Sequence, residues 1–144
     1  MRKERQILRK RPALEGTTGI VLFAHGSRVE EANQGVRDLA QQVRDAGPCG
    51  FVCAAFLELA QPDLRAAVAQ AVEAGLHRVI IIPYFLTEGT HLRRDLPKLV
   101  EPLRQKYPAL NIDLGQSLEG HPLMPSIVLG RVREVVEEPK PAKL

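Results

Sequence analysis

Cysteine is scarce in this chain, long apolar runs are missing, and no glycine pattern of a nucleotide-binding loop occurs. The 144 residues hold two cysteines, Cys49 and Cys53, and no CxxC pair. That excludes zinc ribbons, iron–sulfur ligation in a CxxC arrangement and thioredoxin-type redox chemistry. The two cysteines stand four apart in an apolar stretch, where strand pleating sets both side chains on one face without disulfide geometry. They read as reduced core residues. The longest apolar runs, Gly19 to Ala24 and Val79 to Ile82, fall well short of the roughly 20 residues that span a bilayer, so the expectation is a soluble protein with no membrane partner. With 44% hydrophobic and 26% charged residues, the chain also lacks the composition of a disordered protein. It shows no internal repeat and no low-complexity segment.

Charge is present but unevenly spread. The net charge is +3, yet the first eleven residues alone carry +5 from Arg2, Lys3, Arg5, Arg9, Lys10 and Arg11 against Glu4, leaving the remainder at −2. A basic tail is a weaker sign of nucleic-acid binding than a basic face on a folded body, so nucleic acid is not an expected partner. The tail also lacks the apolar segment of a secretory signal. Residues 1–18 therefore read as a basic disordered extension, 19–138 as the folded domain and 139–144 as a frayed tail, in a cytoplasmic protein.

From Gly19 onward, short β-branched runs alternate with helical periodicity, which argues for an α/β fold. Gly19 to Ala24, Phe51 to Leu57, Arg78 to Pro83 and Leu110 to Gly115 are the predicted strands, apolar enough to be parallel and covered on both faces. Between them Ala32, Val36, Leu39, Ala40 and Val43 mark a first helix. Leu64, Ala67, Val68, Ala71 and Val72 mark a second, with Pro62 in its first turn and Gly75 as its stop. Because proline is tolerated only in the first turn of a helix, Pro97 predicts that the third helix begins near Asp95, leaving Leu86 to Arg94 as a loop. A fourth helix is expected from Pro122 to Glu138, with Ile127, Val128, Val132, Val135 and Val136 toward the core.

Ligands of open parallel sheets bind outside the carboxyl ends of the strands, which sorts the polar residues. His25, Glu58, His91 and His121 follow the first, second, third and fourth strands, all on one edge, whereas His77 precedes the third strand and drops out. Structural alternatives stand beside each. His25 can hold a tight glycine-containing turn, His91 can be a solvated loop residue near Arg93 and Arg94, Glu58 can cap the next helix, and His121 before Pro122 suits a helix start. Two imidazoles and a carboxylate at one cleft can hold a borderline divalent metal or move protons near pH 7. Hydrolysis is the competing chemistry, with Ser27 as nucleophile and His91 and Asp95 as partners, but the GxSxG elbow is absent. His25-Gly26-Ser27-Arg28 is neither a dinucleotide fingerprint nor a Walker loop.

These residues fall in a recognisable order. His25-Gly26-Ser27-Arg28 with Asn33, Phe56-Leu57-Glu58 with Pro62, Pro83 through Phe85-Leu86 with Gly89, His91, Asp95 and Pro97, and Gly120-His121-Pro122 together resemble the sirohydrochlorin chelatase family. The resemblance covers about Gly19 to Val136. It implies a chelatase-like three-layer α/β sandwich, a single domain with a four-stranded parallel sheet. It also implies ATP-independent insertion of Co²⁺ or Fe²⁺ into sirohydrochlorin, in cobalamin or sirohaem synthesis, with nickel insertion into a related tetrapyrrole as a third option. On that reading His25, His91 and Glu58 are catalytic, and His25 and His91 handle the metal. Ser27, Arg28, Phe85, Leu86, Gly89 and Thr90 meet the substrate, whose eight carboxylates also suit Arg93 and Arg94. The divalent metal is a substrate, and no organic cofactor is implied. The chain resembles the short form of the family, which implies a homodimer, since longer members look like two such domains in tandem. The basic extension is outside the family pattern, and the absence of a His-rich or Cys-containing tail gives no indication of metal storage or a cluster. A carrier that binds metal or tetrapyrrole without turnover, and a Ser27-dependent hydrolase, are the alternatives.

Overall fold

The computed structural model describes residue 14 and residues 16–138. Of the expected basic extension only residues 14 and 16–18 are described, and Thr18 is the buried first residue of the first strand rather than part of an extension; the expected frayed tail lies outside the described residues. The element order is β1 (Thr18–Ala24), α1 (Glu30–Asp45), β2 (Phe51–Phe56), α2 (Leu64–Glu73), β3 (Arg78–Pro83), α3 (Gly89–Lys106), β4 (Asn111–Leu114) and α4 (Met124–Glu137). The chain divides into two compact units, one spanning Pro12–Glu119 and the other containing α4 from Gly120 onward.

In the larger unit the four strands form one parallel sheet in the order β2-β1-β3-β4. The first crossover runs from β1 to β2 and the other two run the opposite way, so right-handed connections must put α1 on one face and α2 with α3 on the other. The cores agree. Val21, Phe23, Val79 and Ile81 of the sheet pack with Ala67 and Val68 of α2 and Val100 and Leu103 of α3. Leu22, Ala24, Val52, Ala54 and Phe56 pack with Val36 and Ala40 of α1. Three layers result, as expected.

Several local readings change. β4 is not a continuous apolar run: exposed Asn111 and Asp113 alternate with buried Leu110 and Ile112, because β4 is an edge strand, and charge on an edge discourages further pairing. Asp113 there takes a hydrogen bond of 2.7 Å from Arg78 Nε. Asn33 rather than Ala32 begins the buried stripe of α1. Pro62 precedes α2, whose cap is Asp63 accepting from the Ala66 N–H at 2.8 Å. α3 starts six residues earlier than the proline rule predicts and carries Pro97 and Pro102 inside it. The stripe that packs on the sheet, partly buried Leu92 with buried Leu96, Val100 and Leu103, extends upstream of Pro97, and its burial outweighs the backbone hydrogen bond that the proline forfeits.

In the second unit, α4 buries none of its residues. Ile127, Val128, Val132, Val135 and Val136 are 49–72% exposed rather than facing a core. Helical periodicity identifies the face that favours cover, but not what covers it.

Two outcomes follow from this packing. Ile81 is fully buried between the two neighbouring strands, and Ile81→Ala is expected to lower stability by about 2–5 kcal/mol in urea unfolding. Burial pushes the Cys53 thiol up to about 11, so at pH 8 native protein is expected to leave Cys53 unmodified by iodoacetamide, with alkylation appearing only in denaturant.

Candidate active site

The strand order reverses direction between β1 and β3, where the loop after β1 leaves for one face and the loop after β3 for the other. In open parallel sheets ligands bind at such a switch point, outside the carboxyl ends of the strands. His25 is the first residue after β1, and the sheet's backbone hydrogen bonding carries on past the strands to hold it. The Leu57 N–H donates to the Ala24 carbonyl at 2.9 Å and the Glu58 N–H to the His25 carbonyl at 3.1 Å. On the other flank the Tyr84 N–H donates to the Phe23 carbonyl at 2.7 Å. The outcome is a side-chain pair: His25 Nε2 lies 3.1 Å from Glu58 Oε1, with both side chains more than half exposed.

The next residue has to be glycine. Gly26 has φ of +92°, and a Cβ there would stand 1.8 Å from the Glu58 carbonyl oxygen, a distance no side chain tolerates. Ser27 is then fixed by Asn33, which is 2% exposed. The Asn33 side-chain oxygen accepts from the Ser27 N–H at 2.9 Å, and its amide donates to the Ser27 carbonyl at 2.8 Å and to Glu30 Oε2 at 3.2 Å. Hydrogen bonds from Arg37 and then Asn33 hold the Glu30 carboxyl below its ordinary range. Arg37 also donates to the Gln61 carbonyl at 3.1 Å and lies 5.2 Å from the centre of the Phe56 ring, so α1 braces the loop that carries Glu58.

His91 is placed in the first turn of α3 rather than in a loop, exposed at the same sheet edge. The structure joins His25 to Glu58 but does not gather His91 with them: among the described residues no three His, Cys, Asp or Glu side chains form a metal-holding group. Ser27 Oγ accepts from the Val29 N–H at 3.0 Å, and among the described residues no histidine is hydrogen-bonded to it, so the base that a serine nucleophile needs is not beside it. Arg28 and Arg94 are exposed and without an ion pair among the described residues. Arg93 instead bridges Glu88 and Glu119, each at 3.3 Å, and nothing in its local sequence signals that partnership. Phe85 packs edge-on against Phe23 with ring centres 6.5 Å apart, whereas Leu86 is 62% exposed. Gly89 has φ of +70° and opens α3, followed by exposed Thr90. His77 is at the opposite edge, where its carbonyl accepts from the Asn111 N–H at 2.9 Å. His121 belongs to the unit containing α4, and its Nδ1 accepts from the Leu123 N–H at 3.1 Å, the helix-start role its neighbour Pro122 suggests.

Known proteins resemble this chain over most of its described length. A Methanopyrus kandleri protein named sirohydrochlorin cobaltochelatase is 30% identical over 139 residues, covering 83% of this chain and 97% of its own. An Arabidopsis thaliana protein named sirohydrochlorin ferrochelatase, chloroplastic, is 28% identical and matches 80% of this chain, which spans only 51% of that longer relative. The crystal structure of a Marinobacter aquaeolei VT8 protein described as a CbiX protein superposes with a TM-score of 0.73 at 28% identity, covering 83% of this chain and 98% of that one. Residues 19–135 match the CbiX family, and with a relative 30% identical over most of both chains, the chain belongs to that family.

Proposed function

We propose that this protein inserts a divalent metal, Co²⁺ or Fe²⁺, into sirohydrochlorin without ATP. The observation that carries the reading is the His25–Glu58 pair, 3.1 Å apart and open to solvent at the carboxyl edge of a parallel sheet. Family membership and the names of the relatives support the substrate class.

The reaction asks for little covalent chemistry. Two pyrrole N–H bonds break, two metal–nitrogen bonds replace them, the other two ring nitrogens close on the ion, and two protons leave. A base beside the macrocycle centre must take those protons, and ligands must strip water from the incoming ion. An imidazole does both near neutral pH. In this reading His25 accepts pyrrole protons or holds the ion, and Glu58 orients the ring and stabilises the imidazolium that forms. His91, exposed at the same edge, passes the metal in. Exposed Arg28 and Arg94 attract the substrate carboxylates, with Ser27, Gly89 and Thr90 lining the approach. Borderline donors accept cobalt and iron alike, so the metal used follows supply.

A homodimer completes the proposal. The Arabidopsis relative is about twice the length matched here, and the exposed apolar face of α4 suits a second copy. We assign the protein to the cytoplasm, and the reaction needs no organic cofactor; among the described residues no helix is long and apolar enough to cross a membrane.

Anaerobic absorbance with sirohydrochlorin and Co²⁺ or Fe²⁺ tests the activity. Wild type is expected to turn over repeatedly, and the His25→Ala, His91→Ala double variant to lose at least about 100-fold in rate; full rates in the variant contradict the assignment, and stoichiometric binding spectra without turnover make the protein a carrier. Light scattering is expected to give twice the chain mass, and Val132→Asp to shift it toward one copy. A monomeric wild type at working concentration contradicts the dimer.

A further inference from the structure

Leu59 breaks two local rules at once. Among the described residues it is the one non-glycine with positive φ, at 65°, a conformation that crowds the Cβ of a bulky side chain against its own backbone. It is also 54% exposed and belongs to neither apolar core. The surrounding loop does not leave that conformation to chance. The Glu58 N–H is tied to the His25 carbonyl, the Pro62 carbonyl accepts from the Phe56 N–H at 2.9 Å, and the Gln61 carbonyl is held by Arg37. A glycine or asparagine would meet the backbone demand more easily. The chain instead spends a large apolar side chain at a strained, solvent-facing position that packs no core. Strain of this kind gathers at sites that bind ligands.

Its place in the sheet says what that ligand surface is. Leu57 pairs with Ala24 and Glu58 with His25, so Leu59 comes next along the β2 side of the His25-Gly26 turn. On the β3 side, Tyr84 pairs with Phe23, and two residues further stands Leu86, 62% exposed. Each of the two loops that follow the strands neighbouring β1 thus carries one exposed leucine, one and two residues past the last residue hydrogen-bonded to the β1 segment. Two exposed apolar side chains, on the loops after either neighbour of the strand that leads to His25, match a flat apolar ring with its reactive nitrogens at the centre and its carboxylates outward.

Resting on the chelatase reading above, we propose that Leu59 is a substrate-contacting residue that lies against the apolar face of the tetrapyrrole beside His25, with Leu86 on the opposite flank. The contact holds the ring equally before and during metal insertion, so it acts on binding rather than on the chemical step, and it confers preference for a planar macrocycle over other polycarboxylates.

Leu59→Gly and Leu59→Asn, both compatible with positive φ, separate this role from a structural one. Measured on the full chain, each variant is expected to raise the Kd for metal-free sirohydrochlorin, by absorbance titration, and the KM by about tenfold. kcat should stay within about twofold, Tm at or above that of wild type, and the light-scattering mass unchanged. Unchanged Kd and KM in both variants overturn the proposal. A fall in Tm, or a change in mass accompanying the loss of binding, overturns it too, because Leu59 would then serve the fold or the association of copies. If wild type binds metal-free sirohydrochlorin but turns over no metal, the chelatase reading fails while the Kd comparison still decides the role of Leu59. If wild type does not bind it, both fail.

Discussion

Backbone hydrogen bonding that outlasts the strands is the constraint on which the site depends. β1 ends at Ala24 and β2 at Phe56, yet the two chains stay paired through Leu57 and Glu58. That extension keeps His25 and Glu58 in register, as cross-strand neighbours are kept in register inside a sheet, and it brings the chains so close that only glycine fits at residue 26. A histidine and a carboxylate on free loops would have to give up considerable conformational entropy to meet. Here the sheet has already fixed their backbones, and the side chains need only settle their rotamers.

The second tier of support comes from α1. Buried Asn33 uses its oxygen and its amide to clamp both backbone groups of Ser27, and Glu30 links Asn33 to Arg37, which reaches across to the loop after Glu58. Both backbone segments that carry the His25–Glu58 pair are thus braced from one helix, while the two side chains remain more than half exposed. The same arrangement explains how a helix that caps no backbone N–H with a side chain at Val29 still begins where it does: Glu30 and Glu31 favour its positive end, and the Asn33 clamp fixes the chain entering it.

Much of this was legible in the residues. The β-branched runs and their alternation with helical stripes gave the parallel sheet and its layers, and sorting residues by strand end put His25, Glu58 and His91 on one edge with His77 on the other. What the sequence hid were effects decided by long-range packing. Pro97 reads as a helix start, but the stripe through Leu92, Leu96 and Val100 carries α3 past it. Asn111 and Asp113, alternating with Leu110, Ile112 and Leu114, carried the period-two signal of a half-exposed strand, and reading that segment as covered on both faces passed over it. The apolar positions of α4 state a preference for burial with no information on the partner. Leu59 was silent because nothing in leucine advertises a left-handed backbone, and Asn33 gave no role until the Ser27 backbone was seen within its reach.

The most direct test of the His25–Glu58 centre uses the chain's four histidines as internal controls. Imidazole signals in a ¹H–¹⁵N spectrum would be followed as substoichiometric Co²⁺ is added, since the paramagnetic ion broadens the rings nearest to it. His25 and His91 are expected to broaden first, with His77, at the opposite sheet edge, staying sharp, and Glu58→Gln weakening the effect at His25. Broadening that begins at His77, or that spares His25 until cobalt is in excess, would contradict a metal-handling role for the pair.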